Sequence, residues 1–190
     1  MQEFKGAEAI VYPISYFDLD VLVKERIEKS YREKTLDIRL RTERTRQEAK
    51  LLTTAKESGI LCPIIYDIYE NKIILKRVEG KMLYDHKNIS KSQIKHAAEI
   101  LAKLHKLDII HGDYTPANLI QTKKGLVVID FGLGYFSKKI EDKAMDVVTM
   151  KKALGEIKGI FFLDEYKSFG DKDVLTRADI IENRVRYAKR

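Results

Sequence analysis

The most restrictive feature of this chain is the run His111-Gly112-Asp113-Tyr114-Thr115-Pro116-Ala117-Asn118, followed twelve residues after the asparagine by Asp130-Phe131-Gly132. A strand-like segment, Leu126-Val127-Val128-Ile129, delivers Asp130. Taken singly, an aspartate beside glycine or proline is an ordinary turn former. Taken together, these residues fill three roles in phosphoryl transfer from a nucleotide. Mg²⁺ neutralises phosphate oxygens and prefers a few hard oxygen ligands, with waters in its remaining positions. Asn118 and Asp130 supply such ligands, and Asp113 can orient, or accept the proton from, an attacking hydroxyl or water. The joint pattern, far rarer than its parts, points to a site for ATP and Mg²⁺.

The sequence around this window divides into two patterns. Apolar and β-branched runs crowd the first third: Ala9–Tyr12, Leu19–Lys24, Ile64–Tyr69 and Lys72–Val78, the last two joined by Glu70-Asn71 as a hairpin. Between Lys24 and Ile64, Ala49, Leu52 and Ala55 keep helical spacing in a highly charged stretch. This order predicts an antiparallel sheet with one helix against it. After Gly80 the pattern turns helical: Ser90 or Ser92 can cap a helix whose Ile94, Ala97, Ala98, Leu101 and Leu104 form an apolar stripe. Short strands at Leu119–Gln121 and Leu126–Ile129 flank a Lys123-Lys124-Gly125 turn, and two further helices are expected over Asp142–Leu154 and Val174–Ala188. The expected organisation is a first lobe over 1–79 and a second over 80–190 ending in a basic helix or tail.

Hydrophobic residues make up 44% of the chain, enough to close the core of one domain or of two small lobes. No stretch free of Asp, Glu, Lys and Arg exceeds nine residues, so no membrane span is expected. The N-terminus offers no basic segment followed by an apolar one, and the single cysteine, Cys62, cannot form an internal disulfide; a reducing cytoplasm is the expected location. The net charge of +7 favours an anionic partner. Residues 24–50 hold ten Lys or Arg against six Asp or Glu, and residues 176–190 five against two, two regions that can track phosphates or simply form solvated helices. His86, His96 and His105 show no spacing with carboxylates that argues for zinc.

The His-Gly-Asp loop and Asp-Phe-Gly turn resemble the eukaryotic-type protein kinase superfamily. Under that resemblance Lys24, ending a strand-like run, is the phosphate-binding lysine, and Glu48, on the next helix, positions it through an ion pair. Gly6-Ala7-Glu8-Ala9 stands where ordinary kinases carry their glycine-rich loop and passes over the phosphates with fewer flexible backbone donors. Leu75 takes the gatekeeper position, with the Lys76 carbonyl and the Val78 N–H on the adenine. Gly112 replaces the arginine that docks a phosphorylated activation loop in many kinases, and the Ala-Pro-Glu motif is absent, since Pro116 is the last proline.

Within that superfamily the chain is similar to the small atypical kinase of the KEOPS complex, the Bud/PRPK type of archaea and eukaryotes. The similarity rests on Gly6–Ala9, Val23–Arg26 with Lys29, Tyr31 and Arg32, Leu36-Asp37, Leu40-Arg41, Arg44-Thr45 through Glu48-Ala49, the catalytic-loop residues and Asp130–Gly134. It implies an α+β, two-lobed protein-kinase-like fold with a truncated, mainly helical C-lobe, binding ATP and Mg²⁺. It also implies ATPase and Ser/Thr kinase activity in support of threonylcarbamoyladenosine formation on tRNAs that read codons beginning with A. The implied partners are a transferase subunit of sugar-kinase-like fold, a small regulatory subunit and tRNA. Two rivals are a small-molecule phosphotransferase, which also uses a His-Gly-Asp loop but usually carries a larger C-lobe, and a nucleotide-binding scaffold with little catalysis.

Overall fold

The computed structural model describes residues 3–6, 8–85 and 88–187, with side chains to Arg184 at the C-terminal end. Ala7, His86 and the last three residues of the basic end lie outside the described residues. The chain divides into two compact units, Met1–Glu79 and Gly80–Arg190.

The first unit holds strands β1 (Phe4–Lys5), β2 (Ala9–Tyr16) and β3 (Leu19–Arg26), helix α1 (Lys34–Glu57), and strands β4 (Ile65–Tyr69) and β5 (Lys72–Lys76). The strands form one antiparallel sheet in the order β1-β2-β3-β5-β4. Phe17 and Asp18 close the β2–β3 hairpin with positive φ angles of 48° and 60°, the two-residue turn whose twist matches that of the strands it joins. Glu70-Asn71 closes β4–β5, where the sequence places it. Strand β5 stops at Lys76, two residues short of the sequence expectation.

The period of two along β3 assigns its faces. Val21 and Val23 cluster with Ile74 under Tyr12, Ile14 and Tyr16 on one face, so Leu22, Lys24 and Arg26 belong to the other, the face of Ile73 and Leu75 across the β3–β5 pairing. Helix α1 packs on β4 and β5 through a buried stripe that includes Ala49, Leu51, Leu52 and Ala55. Its N-terminus is capped by Glu33, whose carboxylate accepts the Thr35 and Leu36 N–H groups. Asp37, buried one turn in, is bonded by Arg41 at 2.6 Å, the Lys29 N–H and Arg32. Burial opposes ionisation of Asp37, but these donors outweigh it and hold the carboxyl below its usual range.

The second unit holds β6 (Lys81–Met82), a 3₁₀ turn (Leu83–Asp85), α2 (Lys91–Lys106), β7 (Ile109–Ile110), a 3₁₀ turn (Pro116–Asn118), β8 (Leu119–Thr122), β9 (Gly125–Val128), β10 (Tyr135–Phe136), α3 (Ile140–Leu154), α4 (Glu156–Phe169) and α5 (Lys172–Tyr187). Ser90, not Ser92, caps α2, in a capping box completed by Gln93. The apolar stripe expected for α2 is buried throughout. Helices α2 and α4 pack together, as do α3 and α5, and Val147, Phe162, Tyr166 and Val174 are fully buried on them. Helix α4 is absent from the sequence expectation because Ile160-Phe161-Phe162-Leu163 is a continuous apolar run without a 3.6-residue stripe, and Gly159, a weak helix former, comes just before it. Gly155 joins α3 to α4 in one residue at φ 78°, a conformation that favours glycine. Among the described residues no helix is long and apolar enough to cross a membrane.

Candidate active site

In the first unit, the sheet carries Lys24 toward a carboxylate of α1. Lys24 Nζ lies 2.6 Å from Glu48 Oε1, and the second carboxylate oxygen, Oε2, lies 2.5 Å from Arg26 Nη2. All three side chains are buried: Lys24 is 8% exposed, Arg26 4% and Glu48 2%. Sequence reasoning paired Lys24 with Glu48 but gave Arg26 no part, although its place two residues along the strand puts it on the same face. The β1–β2 loop is held nearby in the same unit. Gly6 N–H donates to the Ala9 carbonyl (2.9 Å), Ile27 N–H to the Glu8 carbonyl (3.2 Å), and Arg44 of α1 to the Glu8 carboxylate (2.9 Å). Lys76 N–H donates to the Ile64 carbonyl (2.8 Å), and Val78 follows in the connection after β5. Leu22 and Leu75, cross-strand partners on the face of Lys24, are only half-buried and offer apolar surface beside the lysine.

In the second unit, the loop between β7 and β8 brings Asp113 and Asn118 together. Asn118 Nδ2 donates to the Asp113 carbonyl (2.8 Å) and to Asp113 Oδ2 (2.9 Å), which turns Asn118 Oδ1 the opposite way. The β8–β9 hairpin returns the chain to this loop, where Ile129 N–H donates to the Asn118 carbonyl at 3.0 Å. Asp130, the next residue, is exposed and adopts φ 60°, and its Oδ1 accepts the Gly132 N–H at 3.1 Å. Phe131 is fully buried, with its ring 4.8 Å from that of His111. Gly112 sits at φ 80°, and a Cβ there would lie 2.5 Å from the Leu133 carbonyl oxygen. Its identity thus follows from close packing of the loop on the Asp-Phe-Gly turn.

The loop is held by Asp146, a buried carboxylate of α3 that the sequence reading did not single out. It accepts the N–H groups of His111 at 2.7 Å and Gly112 at 2.9 Å, and one oxygen lies 3.5 Å from His105 Nε2. His105 Nδ1 in turn meets the Tyr166 hydroxyl at 2.7 Å, and His111 Nε2 meets the Ile129 carbonyl at 3.1 Å. The available signal was an acidic residue on the apolar face of a helix, beside Val147 and Val148 and one turn from Met150. Burial pushes both His105 and His111 below their ordinary value, against the pull of Asp146, so both rings are neutral in the fold.

This has a consequence for stability. The unfolded chain takes up protons on these histidines near pH 6.5 while the folded chain does not, so the fold loses stability as pH drops below about 6.5. Each imidazole contributes at most about 1.4 kcal/mol per pH unit. The melting temperature is therefore expected to fall by roughly 5 °C between pH 7 and 5.5, with a shallower slope in His111→Gln. A level melting temperature across that range in a thermal scan contradicts neutral rings.

A strand lysine held by a helix glutamate in one unit, with the Asp113–Asn118 loop and the Asp130 turn in the other, defines a chain of the protein-kinase class. A model of the RIO domain matches residues 14–147, and the chain belongs to the family of RIO-domain, Bud32-like kinases. It is 36% identical over 197 residues to a probable serine/threonine-protein kinase BUD32 homolog of Archaeoglobus fulgidus, covering 100% of this chain and 98% of that one. It is 40% identical over 196 residues to a probable bifunctional tRNA threonylcarbamoyladenosine biosynthesis protein of Methanobrevibacter smithii. That match covers 96% of this chain but only 36% of the relative, so the chain spans about a third of the length of such bifunctional proteins. In fold it is similar to the Rio2 kinase–ADP/Mg²⁺–phosphoaspartate complex from Chaetomium thermophilum, with a TM-score of 0.72 at 13% identity over 98% of this chain and 70% of that one.

Proposed function

We propose that this chain is an ATP-dependent atypical Ser/Thr kinase and ATPase, the kinase subunit of a KEOPS-type assembly that supports threonylcarbamoyladenosine formation on tRNA. The observation that carries the reading is the buried Lys24–Glu48 pair, in a chain that matches a BUD32 homolog along its whole length. The bifunctional relatives, named for tRNA threonylcarbamoyladenosine biosynthesis, support the tRNA connection.

In this reading Lys24 steadies the nucleotide phosphates and Glu48 positions Lys24. The segment Gly6-Ala7-Glu8-Ala9 passes over the phosphates, its Glu8 tied to α1 by Arg44. The Lys76 carbonyl and Val78 N–H bind the base edge, and Leu22 and Leu75 supply an apolar face for the ring. Asp113 accepts or orients the proton of the attacking hydroxyl or water, and its hydrogen bond from Asn118 fixes its direction. The donors offered to a cation, Asn118 Oδ1 and the Asp130 carboxylate, are hard oxygens that suit Mg²⁺. Among the described residues no group of three or more His, Cys, Asp or Glu is placed to hold a metal. When bound, Mg²⁺ draws charge off the phosphate oxygens. The proposal places the protein in the cytoplasm, with a transferase subunit, a small regulatory subunit and tRNA as partners.

Phosphate release from ATP is expected to rise when the transferase subunit and tRNA are added together, as measured by a coupled phosphate assay. Turnover indifferent to both returns weight to an independent kinase, and phosphorylation of a small-molecule acceptor instead would overturn the reading.

A further inference from the structure

We propose that Arg26 is a positioning residue that fixes the Glu48 carboxylate and, through it, presents the Lys24 ammonium in one orientation. The inference rests on the reading of Lys24 as the phosphate-binding cation and adds to it a second cation on the same strand.

The last torsion of a glutamate side chain has a broad, nearly two-fold profile, so a carboxylate gripped at one oxygen can still turn. Glu48 is gripped at both oxygens, by Lys24 on Oε1 and by Arg26 on Oε2, and its rotation is stopped. Arg26 suits this task because a guanidinium is planar and permanently charged, whereas an ammonium is a rotating point charge.

Arg26 is itself held at the backbone. Its N–H donates to the Asn71 carbonyl at 2.9 Å, and its carbonyl accepts from Asn71 Nδ2 at 3.1 Å. The β3–β5 ladder ends one residue earlier, at the Glu25–Lys72 pair, so Asn71 extends that edge of the sheet past the last paired residue. A continuous chain of contacts thus runs from the Glu70-Asn71 turn through the Arg26 backbone and guanidinium to Glu48 and then to Lys24. Its ordering cost is met when the chain folds, which leaves less to order when a nucleotide arrives. The lysine–glutamate pair is accordingly built into the fold as a standing arrangement.

The test compares the wild type with Arg26→Met, Arg26→Lys and Asn71→Ala, each checked for folding by thermal melting. In Arg26→Met, kcat for ATP turnover is expected to drop by about ten- to a hundredfold with a smaller change in KM, the signature of a misplaced group. Arg26→Lys is expected to recover part of that loss, and Asn71→Ala to show a weaker version of it. The side-chain ¹⁵N signal of the Lys24 ammonium, in the nucleotide-free protein, reads the positioning without any turnover. It is expected to be ordered in the wild type and motionally averaged in Arg26→Met. If Arg26→Met does not fold, the same readouts on Arg26→Lys and Asn71→Ala decide. A folded variant with wild-type kcat and an equally ordered Lys24 signal overturns the proposal. If the wild type itself shows no turnover, the functional reading fails separately, and the Lys24 signal alone decides the role of Arg26.

Discussion

Replacing Glu48 by alanine is expected to lower the stability of the protein by about 3–5 kcal/mol and to abolish the ATP turnover proposed for it. The carboxylate stands between two buried cations, Lys24 and Arg26, and its removal leaves both in a site from which water is excluded. Removing one partner of a buried ion pair carries a penalty of about that size, because the charge that stays has given up its solvation and loses the carboxylate that offset it. Glu48→Gln retains the shape and one acceptor and falls between the two. The contrast is Glu43, whose pair with Arg39 on the same helix is solvent-exposed on both sides and is worth at most about 0.5 kcal/mol. Urea unfolding of Glu48→Ala and Glu43→Ala checks the difference; similar midpoints in the two variants contradict the buried ion-pair account.

Asp146→Ala is the second large effect. It removes the acceptor for two backbone N–H groups of the loop that carries Asp113, each a hydrogen bond to a charged group worth about 1.5–3 kcal/mol. The expected result is a destabilised protein whose turnover is lost even though no residue proposed to touch nucleotide has changed. Asp146→Asn does little better, because an amide offers one acceptor and turns an NH₂ toward the second N–H. Thermal melting and phosphate release together check this; a variant that melts like the wild type and turns over ATP normally contradicts the anchoring role.

The parts of the fold that follow a simple period were legible in the sequence. The α2 stripe, the β4–β5 hairpin at Glu70-Asn71 and the β8–β9 hairpin are local patterns, and each lies within a residue or two of its expected place. Helix α4 was not legible, because its apolar residues run consecutively, and the two-residue strands β1, β6, β7 and β10 are too short to show a period. The same division holds in the site. Asp113, Asn118 and Asp130 lie close together in sequence and carry recognisable chemistry, so their meeting at the end of one hairpin is a local matter. Asp146 is 33 residues beyond Asp113 and Arg26 is 22 residues before Glu48, and neither sequence position advertises its partner. Their roles follow from which face of α3 and of β3 is buried, and that is a property of the packed chain.

The most direct test of the central claim is Mg²⁺-dependent phosphate release from ATP by the wild type, Asp113→Ala and Asp130→Asn. Asparagine is chosen at position 130 because it tolerates the positive φ of that residue. Both aspartates are exposed, so both variants are expected to melt close to the wild type. Turnover by the wild type is expected to require Mg²⁺ and to fall by about a hundredfold or more in each variant. Undiminished turnover in Asp130→Asn contradicts it.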